Sequence, residues 1–525
     1  MRLGVDFGTT RIVIAAADRG NYPIVQFEGP EGESFEWYPP LVAIRGGERL
    51  YGWDAWYAQA EPGWTVLRSL KRLLEDAGPQ TVLEFDGQRL ALVETLVEIA
   101  SHLKQDLLGR SNLHATPGEP LEALIGVPAN ANSNQRFLTV EAFQRAGFHV
   151  LGLLNEPSAA SIEFGHRDRE DKPPSRILVD DLGGGTFDAS LVELDRRTHS
   201  VLACEGISAL GGDDFDTLLA EVALEAAGIG ESERETLTQG ELFHLHEECR
   251  RRKEALHPNT RRIVVDLSVA RPSWSEVSVP AADYYERCRP LLERTSAVVK
   301  DMLAGVDEEH ALEALYITGG GSEMPLVARV LREDFGRKVR RSAYTRSATA
   351  IGLAIQADAE AGYVLHDLLT RHFGVWRERE GGARVVFDPL FPRGTRLPGA
   401  GEPPLINLRQ YRPVHNVGHF RYLECSQISE EGQPGGDLAV WDEFRFPFDP
   451  TLSAEKDLTA VAVEHSQRAD TQQIEERYTC DARAGITVTI RNLTSGYDRD
   501  YRLARWAPKE VALRPGRRKR GGAKV

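Results

Sequence analysis

Residues 178–188 read Leu-Val-Asp-Asp-Leu-Gly-Gly-Gly-Thr-Phe-Asp, and this segment is the most informative about the fold. An apolar run ends in carboxylates and is followed by three glycines, a threonine and a second apolar run. This pattern predicts a β-hairpin whose glycine turn lets backbone N–H groups approach an anion closely. Residues 3–10, Leu-Gly-Val-Asp-Phe-Gly-Thr-Thr, carry the same pattern 175 residues earlier. Two such hairpins indicate a duplicated domain that holds a nucleotide triphosphate between its halves.

The composition is that of a globular protein with more than one domain. The chain has 525 residues, of which 41% are apolar and 27% charged, and it contains no apolar run long enough to span a membrane. Its five cysteines lie far apart without a Cys-x-x-Cys pair, so the pattern favours neither a zinc site nor a disulfide framework. An acid at position 6, where a signal peptide needs its apolar core, adds to a predicted cytoplasmic location.

Charge is unevenly distributed along the chain. The net charge of −16 argues against general nucleic-acid binding by the body of the protein. Residues 509–525 differ, because six lysines and arginines follow the last acid, Glu510. We interpret this segment as a disordered, solubilising tail. The alternative is an electrostatic tether to nucleic acid, a membrane or an acidic partner.

The chain divides into two parts of different character. Residues 1–361 alternate strand-like and helix-like stretches, which is typical of an α/β domain. Residues 123–128 and 312–318 are predicted buried strands, and a helix is predicted to start at Pro325. From about residue 373 short alternating strands replace the helical period. We therefore predict an α/β domain over 1–361, a linker over 362–370, a β-sandwich-like domain over 371–508 and the basic tail over 509–525.

Six segments in the α/β domain together resemble one family. The chain has neither a P-loop nor a dinucleotide-binding glycine pattern. Instead it is similar to the DnaK-type heat-shock protein 70 chaperones, of the sugar kinase–heat-shock–actin ATPase superfamily. The similar segments are the two phosphate loops, the connecting motif, the segment after the second loop, the adenosine motif and the catalytic-lysine stretch: 6–10, 181–188, 154–160, 210–216, 319–325 and 69–74.

The resemblance extends beyond the α/β domain and implies the fold. Residues 364–368 resemble the family's interdomain linker, and residues 387–395 and 478–488 resemble parts of its substrate domain. The implied fold is a duplicated actin-like, ribonuclease H-like ATPase domain of two lobes, followed by a mostly β sandwich. The family's C-terminal helical lid has no counterpart after the β domain, so a lidless protein is expected.

The resemblance also implies roles for individual residues. Lys71, Glu156, Asp181 and Thr186 match catalytic positions, and Asp6 and Asp181 would hold Mg²⁺ through its water shell. The residues expected to bind ATP are Asp6, Gly8, Thr9, Thr10, Gly183, Gly184, Gly185, Thr186, Gly211, Gly212, Lys253, Gly319, Gly320, Gly321 and Ser322.

The positions that would hold the base depart from the family pattern. On the matching helix Lys253 is kept, but Arg250 stands where the family has Glu and Glu254 where it has Arg. Glu323 stands where a second Arg is expected. A guanidinium stacks on a flat base whereas a carboxylate does not. Either the helix register is shifted or adenine is held differently, and we predict weaker nucleotide binding or altered base choice.

The functional prediction is an ATP-dependent chaperone. It would hydrolyse ATP to ADP and phosphate, and couple this to the binding of extended peptide segments of client proteins by the β domain. The alternatives are a nucleotide-sensing scaffold with little turnover, a metabolite kinase and an actin-like filament protein. The resemblance implies J-domain and nucleotide-exchange cochaperones as partners. Two positions depart from the pattern expected for a J-domain contact: Gly152 stands where the family carries the arginine that engages J-domain proteins, and Arg346 and Ser347 replace an acidic pair.

Overall fold

The computed structural model describes residues 1–503 apart from 30–31, 79, 117, 169–172, 305–311, 381–383, 400–401, 456 and 482–483. The predicted basic tail over 509–525 therefore lies outside the described residues. Within the described ranges, no helix combines the length and apolar character needed to cross a membrane.

The elements of the N-terminal part alternate as the sequence predicts. Its strands are β1 Arg2–Phe7, β2 Ile12–Ala16, β3 Phe27–Glu28, β4 Ser34–Phe35, β5 Val42–Arg45, β6 Glu48–Tyr51, β7 Thr65–Leu67, β8 Val82–Phe85, β9 Gln88–Ala91, β10 Glu122–Val127, β11 His149–Asn155, β12 Ser175–Leu182, β13 Phe187–Asp195, β14 Thr198–Ile207, β15 Arg262–Asp266, β16 Glu276–Pro280, β17 Leu312–Thr318, β18 Val339–Arg341 and β19 Val364–His366. Its helices are α1 Gly52–Ala58, α2 Leu70–Leu73, α3 Leu92–Gly109, α4 Ser133–Arg145, α5 Glu156–Asp168, α6 Gly212–Ala226, α7 Glu231–Arg234, α8 Gln239–Glu254, α9 Ala281–Leu303, α10 Pro325–Phe335 and α11 Ala348–Ala357.

The C-terminal part is mostly β structure, as predicted. Its elements are β20 His372–Arg379, β21 Arg384–Phe391, β22 Leu405–Tyr411, β23 Val417–Ile428, β24 Pro434–Pro447, the short helix α12 Gln467–Asp470, β25 Ile474–Cys480, β26 Ile486–Asn492 and β27 Asp498–Leu503.

Two sheets repeat one arrangement, which confirms the predicted duplication. In the first lobe the strand order is β11-β10-β1-β2, and in the second it is β18-β17-β12-β13-β14-β19. In each lobe an antiparallel hairpin (β1–β2 or β12–β13) is extended by two parallel strands. The two predicted glycine hairpins are therefore the corresponding hairpins of the two lobes. Each lobe has its own apolar core.

Two helices join the lobes at very close range. Helix α5 packs on β12 and β13, and α11 packs on β1, β2 and β10. A Cβ atom at Gly352 would lie 1.8 Å from the backbone oxygen of Ala159, and one at Gly4 would lie 2.2 Å from that of Ala350. Only glycine permits backbones this close, because any side chain would occupy the space of the neighbouring chain. The glycines thus fix the closest backbone contacts between these helices and the sheet of the first lobe.

The C-terminal strands form a sandwich. One antiparallel sheet has the order β21-β20-β23-β24 and the other β22-β25-β26-β27, with an apolar core built from both. Glu476 is fully buried in that core and accepts two hydrogen bonds from Arg377, at 3.0 and 2.6 Å. The pairing satisfies a charge that would otherwise be very costly to bury.

The sandwich contacts the first part of the chain through polar side chains. The backbone N–H of Ser133, at the start of α4, donates to the Glu424 carboxylate at 2.8 Å. Arg393 donates to the backbone oxygen of Cys204 at 2.9 Å and also pairs with Glu205. The segment between the two parts forms β19, which adds to β14 as a parallel edge strand.

Candidate active site

A cavity lies between the two glycine hairpins, and most of the predicted site residues line it. The residues that line it include Asp6, Gly8, Thr9, Thr10, Arg11, Lys71, Glu156, Asp181, Gly183, Gly184, Thr186, Gly212, Arg250, Lys253, Glu254, Gly319, Gly320, Gly321, Thr345 and Arg346. Three predicted residues, Gly185, Gly211 and Ser322, are not among those that line it. The structure thus brings together residues from both lobes that are hundreds of positions apart.

The two hairpin loops touch each other. A Cβ atom on Gly184 would lie 2.8 Å from the Thr10 hydroxyl, and one on Gly185 would lie 2.7 Å from the Thr9 hydroxyl. Gly211 supports the second loop from behind, since a Cβ there would lie 2.6 Å from the backbone nitrogen of Gly185. The glycines outside the cavity are therefore required for the packing of the loops, and those inside leave N–H groups open to an anion.

Ser322 also has a supporting position. It is fully buried, and its hydroxyl donates to the backbone oxygen of Gly319 at 2.6 Å. Gly319 has φ +83°, and a Cβ atom there would lie 2.4 Å from an Asp181 carboxylate oxygen. The hydroxyl of Ser322 therefore holds the turn that allows backbone to approach Asp181, rather than facing the cavity.

Lys71 and Glu156 form a buried ion pair at the centre of the cavity floor. The Lys71 ammonium donates to the Glu156 carboxylate, and both side chains are about nine-tenths buried or more. Lys71 lies on α2, which follows Ser69 in the left-handed region at φ +58°, and Glu156 is the first residue of α5. Although burial disfavours the charged lysine, the Glu156 and Asp6 carboxylates raise the pKa of Lys71.

The carboxylates around Lys71 exceed the cations that face them. Burial, together with the charge of Glu156, raises the pKa of Asp6 to about 7, and also raises that of Asp188 to about 7. The pKa of Asp181 is raised well above its usual range for the same reasons. Among the described residues, no group of three His, Cys, Asp or Glu side chains is arranged to ligate a metal directly. This oxygen-rich, acidic set fits a divalent cation that keeps part of its water shell.

Cross-cleft ion pairs that sequence reasoning missed flank Lys71. Arg68 donates to Asp213 at 2.6 Å and to Glu247 at 3.0 Å, and Arg72 donates to Asp214 at 2.8 Å. The arginines belong to the first lobe and the acids to the second. The sequence shows that Arg68 and Arg72 lie close to Lys71 along the chain. It does not show which acids they pair with, because those acids are more than 140 positions away.

The chain belongs to a known family by direct comparison. A family model for Hsp70 proteins matches residues 2–375. The chaperone protein HscA of Proteus mirabilis (strain HI4320) is 31% identical over 420 residues, which cover 76% of this chain and 64% of the relative. HscA of Escherichia coli O7:K1 (strain IAI39 / ExPEC) is 32% identical over the same shares. This chain is a member of the Hsp70 family. It spans about 64% of the length of these curated relatives.

The opposite end of the cavity explains the departures from the Hsp70 pattern seen in the sequence. Lys253 does not point freely at the cavity, because its ammonium donates to the backbone oxygen of Gly212 at 2.6 Å and forms an ion pair with Asp216, also at 2.6 Å. Arg346 donates to Glu323 through Nε and Nη2, at 2.9 and 2.6 Å. The acid and the arginine that looked displaced in the sequence therefore form one ion pair, with the charges exchanged between the two positions.

A hydrogen-bonded chain leads from this Hsp70 cleft to the linker. Arg136 donates to the side-chain oxygen of Asn155 at 2.7 Å, and Asn155 donates to Asp367 at 3.0 Å. Asn155 directly precedes Glu156, the partner of Lys71. Burial raises the pKa of Asp367, while the N–H of Leu368 and the charge of Arg136 oppose this rise. The residue next to Glu156 is thus hydrogen-bonded to the linker.

Proposed function

We propose that this Hsp70-family protein binds ATP with Mg²⁺ in the cleft and hydrolyses it to ADP and phosphate. The observation that carries the proposal is the buried Lys71–Glu156 pair, placed between two glycine loops and beside Asp6 and Asp181. Phosphoryl transfer needs alignment and charge neutralisation more than covalent chemistry, and this set of groups supplies both. A Mg²⁺ ion held through water by Asp6 and Asp181 would neutralise charge on the phosphates.

The proposed roles follow from position. Backbone N–H groups of the two loops would hold the β- and γ-phosphates, with the hydroxyls of Thr9, Thr10 and Thr186 adding donors. The Lys71 ammonium would face the γ-phosphate, where negative charge develops, and Glu156 would orient the attacking water. Water forms a bond to the γ-phosphorus as the bond to the β–γ bridging oxygen breaks. ADP leaves with that electron pair, and the proton that the water loses is released to solvent.

Single-turnover hydrolysis by the unchanged protein and by Lys71→Ala tests the catalytic proposal. We expect the variant to hydrolyse ATP about 10²–10³-fold more slowly, the usual effect of removing one well-placed stabilising group. Lys300→Ala is the matched control, because Lys300 forms only a surface pair with Asp334. Equal rates for Lys71→Ala and the unchanged protein would contradict the assignment. Nucleotide binding without turnover in the unchanged protein would instead identify a sensing scaffold, and phosphate release only with an added acceptor a kinase.

We further propose that the β domain binds extended peptide segments and that the linker couples this binding to the nucleotide. Such binding uses main-chain hydrogen bonds with apolar contacts. The sandwich offers apolar side chains at its surface on edge strand β22, where Ile406 and Leu408 are about half exposed. The Arg136–Asn155–Asp367 hydrogen bonds, which begin next to Glu156 in the sequence, support this coupling because they connect the cleft with the linker. J-domain and exchange cochaperones and a cytoplasmic location stay predictions, the latter supported by five free, buried cysteines.

A further inference from the structure

Three arginines line the cavity at the end away from Lys71, and their surroundings differ. Arg11 lies over the ring of Trp37 at 5.0 Å, and Arg250 lies over that of Trp56 at 5.6 Å. One face of each of these guanidinium groups is therefore already covered by an aromatic ring. In the part of the chain that the structure describes, no aromatic ring lies over Arg346.

The edges of the Arg346 guanidinium are occupied by carboxylates. Its Nε and Nη2 donate to one oxygen of Glu323, and its Nη1 donates to Glu254 at 3.3 Å. Glu323 is itself held by the Thr345 hydroxyl at 2.7 Å, and Glu254 by Arg11 at 2.7 Å. The plane of the guanidinium is thus fixed along its edge, and its charge is balanced by two acids. A group in this state is poorly suited to bind phosphate as a free cation.

The faces of the Arg346 guanidinium remain available. The Arg346 side chain is 36% exposed. A Cβ atom placed on Gly320 would have the Arg346 Cγ, at 3.9 Å, as its one neighbour within 4 Å, so the space between Gly320 and the stem of Arg346 is open. A planar cation with engaged edges and an open face suits a flat aromatic ring, on which arginine stacks well.

We propose that the face of Arg346 is the stacking surface for the base of the bound nucleotide, held in place by Glu323 and Glu254. This inference rests on the proposed nucleotide binding, because it assigns the base to one end of the same cavity. Arg346 would then supply the stacking guanidinium that the family pattern places at position 323. Glu323 and Glu254 are both paired with arginine, so the proposal gives neither of them a contact with the base.

Equilibrium titration with two probes tests the proposal on the full chain in the presence of Mg²⁺. One probe is ADP and the other is inorganic pyrophosphate, which has phosphates but no base. We expect Arg346→Ala to weaken ADP binding by about threefold to thirtyfold, the range for one stacked cationic contact, and to leave pyrophosphate binding unchanged. Arg346→Lys keeps the charge without the plane, so it should recover only part of the loss.

The controls separate this proposal from nucleotide binding itself. Arg287→Ala removes an exposed arginine that pairs with Glu225 at the surface, and it should bind both probes as the unchanged protein does. Full ADP affinity in Arg346→Ala or in Arg346→Lys, or an equal loss for both probes, would overturn the role of Arg346 in stacking while leaving the proposed function in place. If the unchanged protein bound neither probe, both proposals would fall.

Discussion

The two ends of the cleft are built from different materials. At the phosphate end, backbones approach so closely that a Cβ atom at Gly8, Gly211 or Gly319 would lie 2.3–2.6 Å from a backbone atom of another residue. At the base end, side chains of arginine and glutamate pair with each other. A site made of backbone tolerates almost no substitution, whereas a site made of ion pairs survives an exchange of the two charges. This explains why the phosphate loops keep the family pattern while the base end departs from it.

The largest effect is expected from one methyl group added at the phosphate end. In Gly211→Ala the new Cβ would meet the backbone of Gly184 and Gly185 at 2.7 and 2.6 Å, where no flexible side chain can yield. We expect single-turnover hydrolysis to fall by about a hundredfold or more, and the free energy of unfolding to fall by about 1–3 kcal/mol. Quenched single-turnover hydrolysis assays measure the rate, and urea unfolding measures the free energy of unfolding.

Gly240→Ala is the control for that substitution. Gly240 lies in α8, where a Cβ atom would have no neighbour within 4 Å. Replacing a helical glycine by alanine should raise stability by about 1 kcal/mol or less. Hydrolysis by Gly211→Ala at the rate of Gly240→Ala would show that the loop backbones can separate without harm.

A second, smaller effect concerns pH at the phosphate end. Because burial and Glu156 raise the pKa of Asp6 to about 7 in the folded protein, its protonated form stabilises the fold at low pH, and this contribution is lost as pH rises through about 7. A bound Mg²⁺ needs the ionised form. We therefore expect Mg²⁺-dependent ADP binding to strengthen about tenfold between pH 6 and pH 8 through this group.

Calorimetric titration of ADP with Mg²⁺ at pH 6, 7 and 8 measures this dependence. Asp6→Asn serves as the reference, since its own profile contains only the titration of the ligand and of the other groups. Identical profiles for Asp6→Asn and the unchanged protein would show that Asp6 does not take part in cation binding.

The smallest expected effect concerns base choice. Arg346 would contact only the face of the base, because Glu323 and Glu254 are paired with arginine and do not reach its edge groups. A contact with the face alone does not distinguish one purine from another. We expect ATP and GTP to bind with affinities that differ by less than about tenfold. Competition of the two nucleotides against a fluorescent ADP analogue measures the ratio. Strong selectivity for ATP would mean that another group forms hydrogen bonds to the edge of adenine. The base end would then be nearly as specific as the phosphate end.

Local pattern was enough to predict much of the fold. The strands over 123–128 and 312–318 and the helix start at Pro325 are found as β10, β17 and α10, because buried strands and proline at a first helical turn leave clear local marks. The two hairpins were also recognisable, since each needs glycine at a fixed place.

The base end could not be predicted in the same way. Arg11 pairs with Glu254 across 243 positions, and nothing near either residue in the sequence indicates the other. The Arg346–Glu323 pair could not be predicted either, because nothing in the sequence shows that these two departures from the family pattern contact each other. Lys253 keeps the family residue type and was therefore predicted to bind nucleotide. In the structure its ammonium instead contacts Asp216 and the backbone oxygen of Gly212.

The linker strand β19 has a consequence for what happens when the two parts of the protein separate. It lies at the edge of a six-stranded sheet, with Val364, Leu365 and His366 opposite Thr198, His199 and Ser200. β19 pairs with only the first three of the ten residues of β14, so its release would expose the main-chain groups of those three residues. Exposed edge groups can pair with other chains, and very short edge strands limit such pairing. We therefore expect the docked linker to reduce pairing of this end of β14 with a neighbouring molecule.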